Sequence, residues 1–105
     1  MNEFKNVDVK TIANIYFDGK VISRNISFND GSIKTLGVML PGNYEFSTQN
    51  KEYMEIFSGE LELQLENSSN WKTVKQNMAF YVQKNSSFKV KVKSLVNYCC
   101  SYLDE

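Results

Sequence analysis

The sequence predicts an all-β, single-domain protein folded as a β-sandwich or small barrel. Residues 89–93 alternate lysine with valine, and residues 61–66 alternate leucine with polar residues, as half-buried strands do. Short turn signals punctuate the chain at even spacing, and no segment sustains a helical period. A chain of 105 residues is long enough for one hydrophobic core and too short for two.

Charge and composition exclude several classes of function. Twelve basic and twelve acidic residues cancel, so nothing favours a nucleic acid backbone or an anionic membrane as a partner. Apolar runs are only a few residues long and the N-terminus lacks a secretory apolar core, which predicts a cytoplasmic protein. The chain contains no histidine, the residue on which most metal and acid–base chemistry of small barrels depends.

The chain divides into two predicted regions. Residues 1–13 carry charges and isolated apolar residues and are expected to form an arm or an edge strand, and residues 14–105 form the domain. In the first long strand, Arg24 shares a face with Ile22 and Ile26, which places this arginine in the apolar phase. Two interpretations stay open: a snorkelling or ion-paired structural residue, or an anion-binding residue.

Residues 35–61 predict three short strands around a turn at Pro41-Gly42, with a further turn at Ser58-Gly59. Glu52 is in phase with Met54 and Ile56 on the inward face of its strand. A solvated position just before the strand and a carboxylate inside a pocket are both compatible with this periodicity.

Parity along the remaining strands predicts the other inward side chains. The set is Tyr44, Phe46, Thr48, Phe80, Val82, Phe88, Val90, Val92, Tyr98, Cys100 and Tyr102. The aromatic members are compatible with a plain hydrophobic core as well as with a ligand slot. The adjacent Cys99 and Cys100 are expected to point to opposite faces as reduced, semi-buried fillers.

Several spaced motifs resemble the small cupin-type pyrimidine/purine nucleoside phosphorylase family over residues 13–103. They are YFDGKVxS at 16–23, TLGVMLPGxYxFxT at 35–48, ExMxIxxGxL at 52–61, Trp71, NSSF at 85–88 and YCCSYL at 98–103. Asn77 stands where the family usually has glycine, and asparagine tolerates the same left-handed turn.

The resemblance implies a cupin (RmlC-like) β-sandwich or barrel and the activity of a pentosyltransferase. Such an enzyme converts a purine or pyrimidine nucleoside and phosphate into the free base and pentose 1-phosphate. No cofactor is expected, with inorganic phosphate as co-substrate. A metal is not expected either, because Thr48 and Asn50 stand where metal-binding cupins carry histidines, and both are poor ligands.

The reaction passes through an oxocarbenium-like state, so Glu52 is predicted to be the catalytic carboxylate. Phosphate needs hydrogen-bond donors and positive charge, for which Arg24 and Ser87 are the predicted ligands. The predicted substrate-binding residues are Tyr44, Phe46, Thr48, Met54, Phe88, Tyr98 and Tyr102.

Two other functions compete with this prediction. A non-catalytic cupin that binds a nucleobase, a sugar or another small ligand would need the same ring-lined pocket. A metal-dependent cupin oxygenase or isomerase is disfavoured by the missing histidines. A homodimer is expected in either case, with the N-terminal arm as the exchanged element.

Overall fold

A computed structural model describes residues 3–104, which fold into nine antiparallel strands and one 3-10 turn at Phe17–Gly19. The strands are β1 (Asp8–Val9), β2 (Asn14–Tyr16), β3 (Val21–Ser27), β4 (Ile33–Met39), β5 (Gly42–Ser47), β6 (Lys51–Leu65), β7 (Lys72–Lys75), β8 (Met78–Val82) and β9 (Ser87–Leu103). The all-β prediction is confirmed.

Two long strands, β6 and β9, hold the sheet together because each contributes to both of its halves. The first half of β9 pairs with β5 and its second half with β4, while β6 pairs along most of the length of β9. β8 pairs with the first half of β6 and β7 with the second half. The sheet therefore bends into two facing layers, and β3, with β1 and β2 beside it, extends the layer of β4.

A bulge bends β6 where the sequence predicts a turn. The register with β9 shifts at Ser58 and again at Glu60, yet the strand continues without a break. Gly59 makes this bulge possible because glycine adopts its φ of +90° without strain. A residue with a Cβ at this position would also collide with the carbonyl oxygen of Leu95. The predicted turn at Ser58-Gly59 is therefore wrong, and the two flanking strands are one bent strand.

The core lies between the two layers and contains most of the predicted inward side chains. Leu61, Leu63, Val90 and Val92 are buried, and Phe80 packs against them from the side. The lysines of residues 89–93 lie on the opposite face of β9, as their alternation with valine predicts. Asn77 has a φ of +68°, the left-handed conformation expected where the family usually has glycine.

The inward placement of Arg24 is wrong. Val21 and Ser23 are the β3 residues that point into the molecule, whereas Arg24 is exposed on the outer face. Ile22, Arg24 and Ile26 do share one face of β3, as parity predicts, but that face points away from the core. Because Ile26 is buried even on this outer face, apolar side chains do not identify the core side of β3.

The segment before β2 lies against its own chain. β1 pairs with the edge of β3, Asp8 opposite Ser27 and Val9 opposite Ile26. The ring of Phe4 meets the ring of Phe28 edge-on at 5.3 Å.

Candidate active site

A cavity of about 220 Å³ opens on the inner face of the β3–β4–β9–β6 layer. Its apolar lining comes from Met39, Phe46, Met54 and Phe88. The other lining side chains carry polar or sulfhydryl groups and are Tyr16, Ser23, Thr35, Ser47, Glu52, Tyr98, Cys100 and Tyr102. A lining that combines aromatic rings with polar groups suits a ligand that has an aromatic part and a hydroxyl-rich part.

Strand register brings the polar row together. Glu52 on β6 lies opposite Tyr102 on β9, and Met54 lies opposite Cys100. On the other side of β9, Thr35 lies opposite Cys100. Residues of one parity on three neighbouring strands therefore surround the Glu52 carboxylate.

Glu52 is the carboxylate of this cavity, and its environment favours the neutral form. Burial raises the pKa of Glu52 above 4.5, and a hydrogen bond with the Cys100 side chain opposes part of that rise. Among residues 3–104, no lysine or arginine lines the cavity. The proton on Glu52 is therefore held more firmly than on a solvated glutamate.

Cys100 and Tyr102 continue the polar row as neutral donors. Burial, followed by the charge of Glu52, raises the pKa of the Cys100 thiol far above its usual range. Burial likewise raises the pKa of the Tyr102 phenol. The Tyr102 hydroxyl lies 3.2 Å from the Thr35 hydroxyl, and the two share a hydrogen bond. The Thr35–Tyr102 hydrogen bond, Cys100 and Glu52 thus lie side by side along the lining of the cavity.

A second polar series forms where β4 lacks a side chain. Gly37 lies between Ser23 on β3 and Tyr98 on β9, and both of these side chains line the cavity. Burial raises the pKa of Tyr98 to about 12, so its phenol stays protonated. The Asn14 amide donates to Ser23 Oγ at 3.3 Å and to Asn25 Oδ1 at 2.8 Å.

The apolar lining includes stacked rings. Phe46 and Phe88, paired across β5 and β9, stack with their centroids 5.2 Å apart. Phe17 meets Phe46 edge-on at 5.5 Å from the 3-10 turn. A planar heterocycle placed against Phe46 and Phe88 would gain both burial and ring contact.

A wider, more open depression of about 530 Å³ adjoins the cavity and shares Tyr16, Thr35 and Tyr102 with it. Its remaining lining residues are Asn14, Asn25, Gly31, Ser32, Ile33 and Asp104. Thr35 and Tyr102, whose hydroxyls share a hydrogen bond, thus line both spaces.

Six predicted site residues line the cavity, namely Glu52, Phe46, Met54, Phe88, Tyr98 and Tyr102. Their roles remain predictions. Tyr44 and Thr48 are buried but do not line it. The Tyr44 hydroxyl donates to the Leu40 carbonyl oxygen at 2.7 Å, and the Thr48 hydroxyl donates to the Gln83 carbonyl oxygen at 2.6 Å. Each hydroxyl therefore hydrogen-bonds to the residue that directly follows another strand, β4 for Tyr44 and β8 for Thr48.

Neither predicted phosphate ligand lies at the cavity. Arg24 points away from it on the outer face, since its neighbour Ser23 takes the inner one. The Ser87 hydroxyl donates to Glu66 at 3.1 Å near the end of β6. The side chain of Ser87 faces away from the ring of Phe88, because the two alternate along β9.

Ser23, Thr35 and Cys100 also line the cavity, although none of them was among the predicted site residues. Cys100 was predicted to share a face with Tyr98 and Tyr102, and that parity is the signal that marks it as a cavity residue rather than a filler. Ser23 alternates with Arg24 along β3, so assigning the other face of this strand to the interior predicts Ser23 as a cavity residue. Within residues 3–104, no group of three or more cysteine, aspartate or glutamate side chains is placed to hold a metal ion.

Fold and cavity define a small antiparallel β-sandwich of the cupin class with a ring-lined pocket. An RmlC-like cupin from Shewanella frigidimarina has the same fold, with a TM-score of 0.69, 11% identity, and coverage of 95% of this chain and 86% of the other. A protein of unknown function from Acinetobacter sp. is more similar, with a TM-score of 0.93 at 37% identity over 96% of this chain and 98% of the other. No helix of residues 3–104 has the length and apolar character to cross a membrane.

The chain belongs to the pyrimidine/purine nucleoside phosphorylase family, whose model matches residues 11–102. A relative of that name from Geotalea uraniireducens is 54% identical over 104 residues, which cover 99% of this chain and all of the relative. Another from Colwellia psychrerythraea is 50% identical over 103 residues, 98% of this chain and 99% of the relative. The resemblance found in the sequence motifs is therefore confirmed.

Proposed function

We propose that the protein catalyses the phosphorolysis of purine and pyrimidine nucleosides to the free base and pentose 1-phosphate. Family membership supports the reaction class, and the observation that carries the proposal here is the position of Glu52. Its carboxylate lines a cavity whose lining includes stacked aromatic rings. A base against the rings would leave its sugar beside the carboxylate.

In the proposed reaction the bond from C1′ to the base nitrogen breaks and a bond from C1′ to a phosphate oxygen forms. The departing base takes the electron pair of the broken bond and ends with the proton that the attacking phosphate loses. Positive charge develops on the sugar, and ionised Glu52 stabilises it through space or through the ribose hydroxyls. Phosphate is the nucleophile, so the protein positions and stabilises rather than forming a covalent intermediate.

Base recognition by Phe46 and Phe88 rests on stacking and burial. Stacking accepts any planar ring, while hydrogen-bonding groups that reject one base class would have to be buried and aimed at it. This arrangement is compatible with both purines and pyrimidines. The neutral hydroxyls of Ser23, Thr35 and Tyr98 are the donors we assign to phosphate and ribose oxygens.

A second function is favoured by one specific observation: no lysine or arginine among the described residues lines the cavity. Phosphate is bound most strongly by charged donors, so a cavity without them also suits a protein that binds a nucleobase or sugar and does not react.

We further propose that the protein is a cytoplasmic homodimer and that it needs no metal or organic cofactor.

Incubation of the purified protein with uridine or adenosine separates the two functions. Phosphorolysis releases free base and pentose 1-phosphate only when inorganic phosphate is present, which chromatography of the products measures. Binding without reaction would instead give saturable calorimetric heats and no base in either condition. Release of base without phosphate would indicate hydrolysis and contradict the proposal.

A further inference from the structure

The cavity alone is small for the substrate that the proposed function requires. Its volume of about 220 Å³ lies below the range of about 300–1,000 Å³ that is usual for small-molecule sites. The open depression of about 530 Å³ beside it shares Tyr16, Thr35 and Tyr102 with the cavity, so the two spaces adjoin. A ligand of nucleoside size on the rings of Phe46 and Phe88 therefore extends toward the depression.

One register row runs through both spaces. Met54 lies opposite Cys100, and Cys100 lies opposite Thr35. Thr35 in turn lies opposite Asn25. Met54 and Cys100 line the cavity, whereas Asn25 lines the depression. At a strand spacing of about 4.8 Å the row spans about 14 Å from β6 to β3, which accommodates a base and a pentose placed end to end.

The chemistry of the depression suits a sugar rather than a base. Phenylalanine rings line the cavity but not the depression, which presents hydroxyl groups and the amides of Asn14 and Asn25. Asn14 Nδ2 donates to Asn25 Oδ1 at 2.8 Å. Because its carbonyl oxygen is engaged in this way, Asn25 offers its amide nitrogen as a donor to the hydroxyl groups of a ligand.

The depression carries a negative charge. Asp104 is its one charged lining residue within residues 3–104. Two lysines near the depression lie outside its lining. Lys10 meets Asn25 only through a backbone hydrogen bond, and its side chain is exposed. The Nζ of Lys34 lies 5.3 Å from the centroid of the Phe28 ring. The depression therefore favours a neutral or cationic group over an anionic one.

We propose that the depression is a second subsite, which holds the 5′ end of the sugar and selects for a neutral or cationic 5′ group through Asp104. The inference rests on the proposed function, which places the base on the rings and C1′ beside Glu52. Glu52 lies opposite Tyr102, and Tyr102 lines both spaces. The far side of the pentose, with its 5′ carbon, therefore passes Tyr102 and enters the depression. Nucleosides with a 5′ hydroxyl or amine are accepted, and Asp104 repels nucleoside 5′-phosphates.

Three ligands that differ in the charge of the 5′ group test the proposal. They are 5′-amino-5′-deoxyuridine, uridine and uridine 5′-monophosphate, and titration calorimetry at low ionic strength measures each Kd. The wild type should bind the amine most tightly and the phosphate most weakly, with about a tenfold difference or more between the two. Asp104→Lys should reverse this order. Free uracil, which occupies only the cavity, should bind the wild type and the variant equally.

Ser32→Lys provides a second variant that leaves Asp104 in place. Ser32 lines the depression just before β4 and is exposed, so a lysine there adds a positive charge without disturbing the core. It should lower the ratio of the Kd for the phosphate to the Kd for the amine. Glu45→Lys reverses an exposed charge on β5, outside both spaces, and should leave all the constants unchanged.

Equal binding of the amine and the phosphate by the wild type would overturn the proposal. So would a ratio that neither Asp104→Lys nor Ser32→Lys changes, or one that Glu45→Lys changes as much. The product assay with uridine and phosphate is run on the same preparations, so that the two proposals fail separately. Base release with binding that ignores 5′ charge would remove the subsite and keep the reaction. Charge-selective binding without base release would keep the subsite and remove the reaction, and failure of all three ligands to bind would overturn both.

Discussion

Glu52 on β6 and Tyr102 on β9 lie directly opposite each other, and both side chains line the cavity. Opposed residues of an antiparallel pair have Cβ atoms about 4.5–5.5 Å apart, so a ligand that reaches one contacts the other. Thr35 holds the Tyr102 hydroxyl from a third strand at 3.2 Å. The carboxylate therefore lies in a polar group whose members are placed by three paired strands.

Replacing Glu52 with glutamine should lower turnover of uridine and adenosine by well over about tenfold, because the amide cannot stabilise positive charge on the sugar. Steady-state kinetics at saturating phosphate measures the effect. Glu45→Gln removes an exposed carboxylate on β5 and should have no effect, which makes it the matched control. Equal rates for wild type and Glu52→Gln would remove Glu52 from the mechanism.

The pH profile of kcat/KM should show an acid limb above pH 4.5, since burial raises the pKa of Glu52 and the ionised form is the one that stabilises the sugar. Rates are measured with phosphate saturating at every pH, so that titration of phosphate itself does not set the limb. The residual activity of Glu52→Gln should lack this limb. A limb at or below 4.5 in the wild type would show that a different group controls the rate.

The contribution of Glu52 to the free energy of unfolding should fall as pH rises, whereas the contribution of an ion-paired acid increases with pH. The pKa of Glu52 is raised in the folded state, so folding binds the proton more tightly and the stabilisation is present below the unfolded pKa. That contribution is lost as pH rises through the folded pKa. Glu52→Gln should therefore increase the free energy of unfolding more at neutral pH than in acid, as urea denaturation at the two pH values measures. A larger gain in acid would contradict the assigned burial.

Cys100→Ala should move the acid limb of kcat/KM to higher pH, because the Cys100 side chain bonds to Glu52 and lowers its pKa. Cys100→Ser keeps a donor and should leave the limb closer to the wild-type position. Cys99→Ala is the matched control, since Cys99 is equally buried but lies on the outer face. If Cys99→Ala shifts the limb as far as Cys100→Ala does, the effect is one of packing.

Gly37→Ala should lower the free energy of unfolding by about 1–3 kcal/mol through overpacking. A Cβ at this position would lie 2.7 Å from Ser23 Cβ and would collide with the carbonyl oxygen of Ile22. Relief would have to come from the backbone of β3, because the atoms that the Cβ would meet all belong to that strand. Urea denaturation measures the change, and a loss below about 0.5 kcal/mol would mean that β3 shifts freely.

Periodicity predicted which side chains share a face, and this succeeded wherever a strand was regular. Tyr98, Cys100 and Tyr102 are an example, because alternation along β9 depends only on the local backbone. The method failed at Ser58-Gly59, where turn residues instead form a bulge. A bulge looks like a turn in sequence, and only pairing with β9 decides between them.

The sequence by itself determined the all-β class, the alternating faces and, through its motifs, the family. Only the tertiary structure decided which face of each strand is the interior, as Ser23 and Arg24 illustrate. The physical reason is that alternation is a local property, whereas burial depends on what lies across the sandwich. The same holds for the cavity, because Thr35, Glu52 and Cys100 meet only once β4, β9 and β6 are paired in register.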